Sequence, residues 1–174
     1  NANGDVAPTR AMPFAVGETG VDLRVVGDEL YVTVANQSVH VYPVDGDGAI
    51  APLRSITGAG TTLSDTLGIA IIGDELYISD DELTEGKNVA PGVAVFSLDA
   101  SGDAAPIRSI KGPATLMEYP GRLAEIADEL FVAEYSGERI LYYPMTASGD
   151  VIPTTSLAGP DTLLSGPWSL MFAD

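Results

Sequence analysis

A six-residue pattern that returns twice constrains this chain more than any other feature. It reads Gly27-Asp28-Glu29-Leu30-Tyr31-Val32, then Gly73-Asp74-Glu75-Leu76-Tyr77-Ile78, then Ala127-Asp128-Glu129-Leu130-Phe131-Val132. A polar pair running into a Leu-aromatic-aliphatic stretch predicts a tight bend followed by a buried strand. The copies stand 46 and 54 residues apart, the spacing of a four-stranded propeller blade.

A second pattern sets the register between these units. Gly4-Asp5-Val6-Ala7-Pro8-Thr9-Arg10, Gly48-Ala49-Ile50-Ala51-Pro52-Leu53-Arg54 and Gly102-Asp103-Ala104-Ala105-Pro106-Ile107-Arg108 share one spacing, and Gly149 to Thr155 is a weaker copy. The glycines supply the positive φ of a hairpin turn. A proline four residues later cannot donate to a ladder, which assigns this run to an edge strand. The expected fold class is therefore all-β: a β-propeller of four-stranded antiparallel blades.

Calling the strands of a blade a to d from the axis outward, the first blade has a at 21–26, b at 29–35, c at 38–44 and d at 50–57. The second has 67–72, 75–80, 92–98 and 104–111; the third has 121–126, 129–135, 138–144 and 151–158. The chain is thus one array over residues 1–174, with blades at 13–57, 58–111 and 112–158. An extra strand d (6–12) precedes them and an extra strand a (168–172) follows. Closed propellers have about four to eight blades, so this reads as an arc of a longer array or a partner in an assembled ring. Open blade faces and strand edges invite association, and the expected partner is a protein or another copy meeting those edges. The chain opens at Asn1 and is read as a mature or trimmed product.

Composition bears on partners more than on fold. A net charge of −17 repels phosphate backbones and anionic lipid, which argues against nucleic acid. No run is long and apolar enough to predict a membrane span. Without cysteine there is no disulfide, thiolate metal site or cysteine nucleophile.

With strand motifs Tyr119-Pro120-Gly121, Gly166-Pro167-Trp168 and Val41-Tyr42-Pro43 beside the Leu-Tyr-Val strand b, the chain resembles the NHL-like family of β-propeller repeats. Its Gly-x-x-Ala-Pro-x-Arg strand d looks like a bacterial subgroup. The resemblance implies a propeller along the whole chain. It leaves function open, since propellers serve as binding scaffolds and as enzymes.

Candidate sites are few. The second b–c connection is enlarged: Leu76 to Phe96 spans 20 residues where Leu30 to Tyr42 spans 12. Its Asp80, Asp81 and Glu82, with Glu134 at the position matching Asp80, form a candidate site for a hard cation such as Ca²⁺. The competing reading is a solvated acidic loop. Asp45-Gly46-Asp47-Gly48 fails as an EF-hand, because Pro43 would take the first ligand position and Arg54 the twelfth. Asp22, Arg24, Arg122 and Glu125 break the apolar pattern of strand a near the axis, either lining a ligand site or pairing across a wet channel. Arg10, Arg54 and Arg108 recur at one position, which points to a structural bond to a neighbouring strand or turn. His40 is the sole histidine, on strand c and remote from a loop mouth, which speaks against catalysis.

The expected function is a non-catalytic extracytoplasmic (extracellular or periplasmic) module for protein or ligand binding. One alternative is a divalent-cation-dependent lactonase-like or hydrolase-like propeller, which needs Asp22, Asp80 or Glu134 to converge with Asn36 or Asn88. Another is a structural subunit of a ring or filament.

Overall fold

The computed structural model describes residues 5, 7–15, 17–35, 37–81 and 90–171. Among these residues twelve strands form three antiparallel sheets, each a meander in which sequence neighbours pair. The first sheet holds β1 (Gly20–Val26), β2 (Glu29–Val34), β3 (Ser38–Pro43) and β4 (Arg54–Thr57). The second holds β5 (Asp65–Ile72), β6 (Glu75–Asp81), β7 (Gly92–Ser97) and β8 (Arg108–Lys111). The third holds β9 (Pro120–Ile126), β10 (Glu129–Glu134), β11 (Arg139–Pro144) and β12 (Thr155–Leu157). Helix is confined, among the described residues, to 3-10 turns at Ala59–Thr61, Pro113–Thr115 and Pro160–Thr162, so none could cross a membrane.

The repeated acidic bends join β1 to β2, β5 to β6 and β9 to β10, as the pattern predicts. Gly27 and Gly73 take φ +57°, and Ala127 holds the same left-handed conformation at φ +52°. The outermost strands are shorter than expected. They begin at Arg54, Arg108 and Thr155, two residues beyond Pro52, Pro106 and Pro153, whose missing N–H delays the ladder.

The flanking segments need correction. Neither the described part of 6–12 nor 168–171 is in a strand, because among the described residues no strand pairs with either to form a ladder.

The sheets stack face to face, and side-chain alternation along each strand decides which residues meet. Tyr31, Val39, Val41 and Ile56 of the first sheet pack on Leu76, Ile78, Ala94 and Phe96 of the second. One blade on, Tyr77, Val93, Val95 and Ile110 pack on Leu130, Val132, Leu141 and Tyr143. The inner strands lie so close that a Cβ on Gly68 would sit 2.6 Å from the Gly121 carbonyl oxygen. Only glycine permits that approach.

Candidate binding cleft and the charged ties around the axis

A bulge in β1 between Gly20 and Asp22 turns Asp22 toward the axis, where it is buried. One carboxylate oxygen accepts hydrogen bonds from Leu23 N (2.8 Å) and Arg24 Nη1 (3.1 Å) and is paired with Arg122 Nη1. The other accepts from Ile69 N at 3.2 Å. Arg122 also donates to the Val21 carbonyl at 3.3 Å. One carboxylate thus ties β1, β5 and β9 together. Of the four axial residues singled out by sequence, Asp22, Arg24 and Arg122 meet. Glu125 stands apart, in a shallow depression of about 250 Å³ with Arg24, Ile72 and Leu170.

Asp80 and Glu134 occupy one repeat position and do one job a blade apart. Asp80 Oδ1 accepts from Ser64 N (2.8 Å) and Asp65 N (2.9 Å), and its Oδ2 faces Lys111 Nζ at 3.1 Å. Glu134 accepts from Glu118 N (3.2 Å), Tyr119 N (2.6 Å) and Gly137 N (2.6 Å), with Arg139 Nε 3.4 Å away. Each buried carboxylate fastens the loop entering its own blade. A carboxylate already accepting backbone N–H bonds is satisfied without a cation. Asp81 is buried beside Asp80, and its carbonyl accepts from Ser64 Oγ at 2.6 Å. Among the described residues no three carboxylates or histidines gather as a metal set. Glu82, Asn36 and Asn88 lie outside the described residues. The repeat relation of Asp80 and Glu134, visible in sequence, thus accompanies a shared loop-closing geometry.

The recurring arginines form clamps between blades. Arg54 donates to both oxygens of Glu29 (2.5 and 2.9 Å), to Tyr31 Oη (2.8 Å) and to the Leu98 carbonyl of the next blade (3.2 Å). Arg108 repeats this with Glu75 (2.5 Å to each oxygen), Tyr77 Oη (2.6 Å) and the Met145 carbonyl (2.9 Å). The Arg54 guanidinium holds the Glu29 carboxyl at about 2, with the Tyr31 hydroxyl assisting. Arg108 lowers Glu75 in the same way. Burial first, and then the neighbouring carboxylate, push both tyrosine hydroxyls up.

A second repeated device escaped the sequence reading. Thr33 Oγ1 accepts from Asp22 N (3.0 Å) and donates to the Leu67 carbonyl of the next blade (2.8 Å). Ser79 Oγ likewise accepts from Gly68 N (2.7 Å) and donates to the Gly121 carbonyl (2.6 Å). Ala133 takes the third copy and has no hydroxyl, so Arg122 N bonds the Trp168 carbonyl directly at 3.0 Å. A hydroxyl three residues after the first two of the three repeated leucines, Leu30 and Leu76, was the available signal. So was Gly-x-x-Thr before β5, β9 and residues 168–171: the Thr61, Thr115 and Thr162 hydroxyls close their 3-10 turns by donating to Gly58, Gly112 and Gly159 carbonyls at 2.8, 2.7 and 2.7 Å.

No sequence pattern announces a further cleft. It measures about 470 Å³ and lies on the open face of the first sheet, between Leu23, Leu30, Val32 and Tyr42 on one side and Met12 and Phe14 on the other. Asp22 and Arg122 form its polar inner end. His40 lies on the same sheet, its Nδ1 3.1 Å from Tyr42 Oη.

No protein-family model matches the chain, and no curated protein matches it. Solved structures do match in fold. The computationally designed Ika4 protein is 14% identical with a TM-score of 0.58, covering 97% of this chain and 89% of its own. The computationally designed Ika8 protein is 15% identical with a TM-score of 0.53, covering 89% of this chain and 40% of its own. The chain therefore spans less than half the length of Ika8. The shared property is an all-β, propeller-like array of packed four-stranded sheets, here with the ring unclosed.

Proposed function

We propose that this chain is an NHL-like propeller module, non-catalytic and extracytoplasmic, that binds a partner or ligand through the apolar cleft on its first sheet. One observation carries the reading. Leu23, Ile69 and Leu123 hold one repeat position, yet Leu23 is 54% exposed where the other two are 0% and 1%. The residues around it are equally apolar, so the cleft offers a binding surface with one charged end. Asp22, Asp80 and Glu134, the charged groups that suggested chemistry, are engaged in ties that hold the blades and loops, as Arg54 and Arg108 are. The acidic surface and the Gly-x-x-Ala-Pro-x-Arg pattern fit the same reading.

Titration with the neutral apolar dye Nile red tests it. The expected result is saturable uptake at one site, weakened at least tenfold by Leu23→Glu. Uptake that is absent, or unchanged by Leu23→Glu, contradicts the assignment of the cleft.

A further inference from the structure

We infer that Tyr119, Tyr135 and Trp168 form a binding corner for a quaternary ammonium group, at a place separate from the cleft on the first sheet.

Tyr119 stands just before β9 and Tyr135 just after β10, and Tyr135 N donates to the Tyr119 carbonyl at 3.1 Å. Their ring centroids are 5.8 Å apart, with the planes at 62°. Trp168 closes the third side, 5.6 Å from Tyr119 at 35° and 6.1 Å from Tyr135 at 84°. Rings set at such angles make a corner rather than a flat platform. The backbone beneath them is held. Glu134 accepts from Tyr119 N at 2.6 Å, and the Trp168 carbonyl accepts from Arg122 N at 3.0 Å. Gly166, at φ +54°, lies against the Tyr135 ring, where a Cβ would come within 2.6 Å of Cε2. A corner held this way needs little ordering when a ligand arrives. Tyr135 nevertheless keeps 49% exposure, and Tyr119 and Trp168 are half-buried.

The repeat shows that folding does not call for rings here. The cross-strand pair matching Tyr119 and Tyr135 is Asp65 and Asp81 in the second sheet, and Thr19 and Ala35 beside the first. The two carboxylates of the second sheet stand close to the tyrosines instead. Burial first, and then the charges of Asp81 and Asp65, push the Tyr119 hydroxyl up. Negative charge beside electron-rich ring faces favours a cation and disfavours an anion.

The chain does not furnish that cation itself. Tyr31 and Tyr77 carry the guanidiniums of Arg54 and Arg108, 5.4 and 5.5 Å from their ring centroids. Among the described residues no cation stands over Tyr119, Tyr135 or Trp168 in this way. Arg139 is committed to Glu118 at 2.9 Å, and Lys111 to Asp80 at 3.1 Å. A ring face offers no ordinary hydrogen bond, so a cation bearing N–H groups gives up water there without replacement. A quaternary nitrogen has no N–H to leave unsatisfied, and aromatic faces suit it. The ligand is therefore a trimethylammonium group, carried by a free solute or by a lipid headgroup.

Trp168 is the sole tryptophan, so its fluorescence and its indole N–H resonance both report on the corner. Titration with choline chloride should change both saturably. The neutral isostere, with a tert-butyl group in place of the trimethylammonium, should change neither over the same range. Tyr135→Leu should weaken choline binding about fivefold or more, and Tyr135→Phe should retain it, because the ring face is what binds. Leu23→Glu should leave choline binding unchanged, which separates this site from the Nile red site. Co-sedimentation with phosphatidylcholine vesicles would identify a lipid headgroup as the source of the group, and a response to choline alone would identify a free solute. An equal response to the neutral isostere would reduce the corner to an apolar patch and overturn the inference. No saturable response to choline or to the vesicles, or a choline response that survives Tyr135→Leu, would overturn it as well.

Discussion

The sealed face of the first sheet and the open face of the third are built from the same repeat positions. Tyr31, Val39, Val41 and Ile56 are fully covered, whereas Phe131, Ile140, Tyr142 and Leu157 at the matching positions keep solvent access, with Leu157 at 43%. Their side chains are equally apolar, so composition does not separate them. What differs is the neighbour. The clamp follows the same division: Arg54 and Arg108 each reach a carbonyl on the next blade, while the third copy carries Thr155 for arginine and Phe131 for tyrosine. The lesson is that the Glu-Tyr-Arg set holds one blade to the next, and that blade-internal pairing proceeds without it.

If the sealed interfaces dominate stability, Phe96→Ala should have the largest effect, about 3–5 kcal/mol by chemical denaturation. Phe131→Ala, on the open face, should cost about 1 kcal/mol or less. Equal losses would break the comparison. Ser79→Ala should cost about 1–3 kcal/mol, because Gly68 N and the Gly121 carbonyl lose a buried partner. Arg108→Gln should cost about 1–2 kcal/mol and leave the third sheet's amide exchange raised more than the first's.

Acid sharpens the comparison most gently. A carboxyl whose folded value lies below its unfolded value contributes stability above the unfolded value and loses it as pH falls. For Glu29 the window runs from 4.5 down to about 2, and Glu75 adds in the same direction. Asp65, raised by burial and by the Asp80 charge, acts in the opposite sense: its contribution is present at low pH and fades as pH rises through its folded value. The melting temperature should therefore fall across the Glu29 window, and Arg54→Gln should flatten that fall. An unchanged slope in Arg54→Gln would show that the clamp does not set it.

Most of the architecture was legible because blade strands are written by local chemistry. Asp-Glu bends, alternating apolar positions and the Arg108 and Arg54 spacing each act within one repeat and recur in the next. The flanking segments were read as strands, whereas their described residues form none, since a ladder needs a neighbouring strand that pattern within one segment does not reveal. Asp80 and Glu134 drew a metal reading because carboxylates look alike in sequence whether they face a cation or a row of backbone N–H groups. Among the axial residues, the Asp22–Arg122 pair could be suspected from broken periodicity, but its closure across 100 residues depends on curvature, which no single repeat encodes. The cleft depends on which residues cover Leu23 and Val32, and neighbours a whole repeat away leave no mark in the residues themselves.

The tie that Asp22 makes among β1, β5 and β9 can be tested directly, because a chain without cysteine accepts paired spin labels cleanly. Labels at Leu53→Cys and Ile152→Cys, both exposed, report the separation of the first and third sheets. Pulsed electron spin resonance should give one narrow distance that broadens when Asp22→Asn is added. A distribution left unchanged by Asp22→Asn would contradict the claim that this carboxylate holds the three inner strands together.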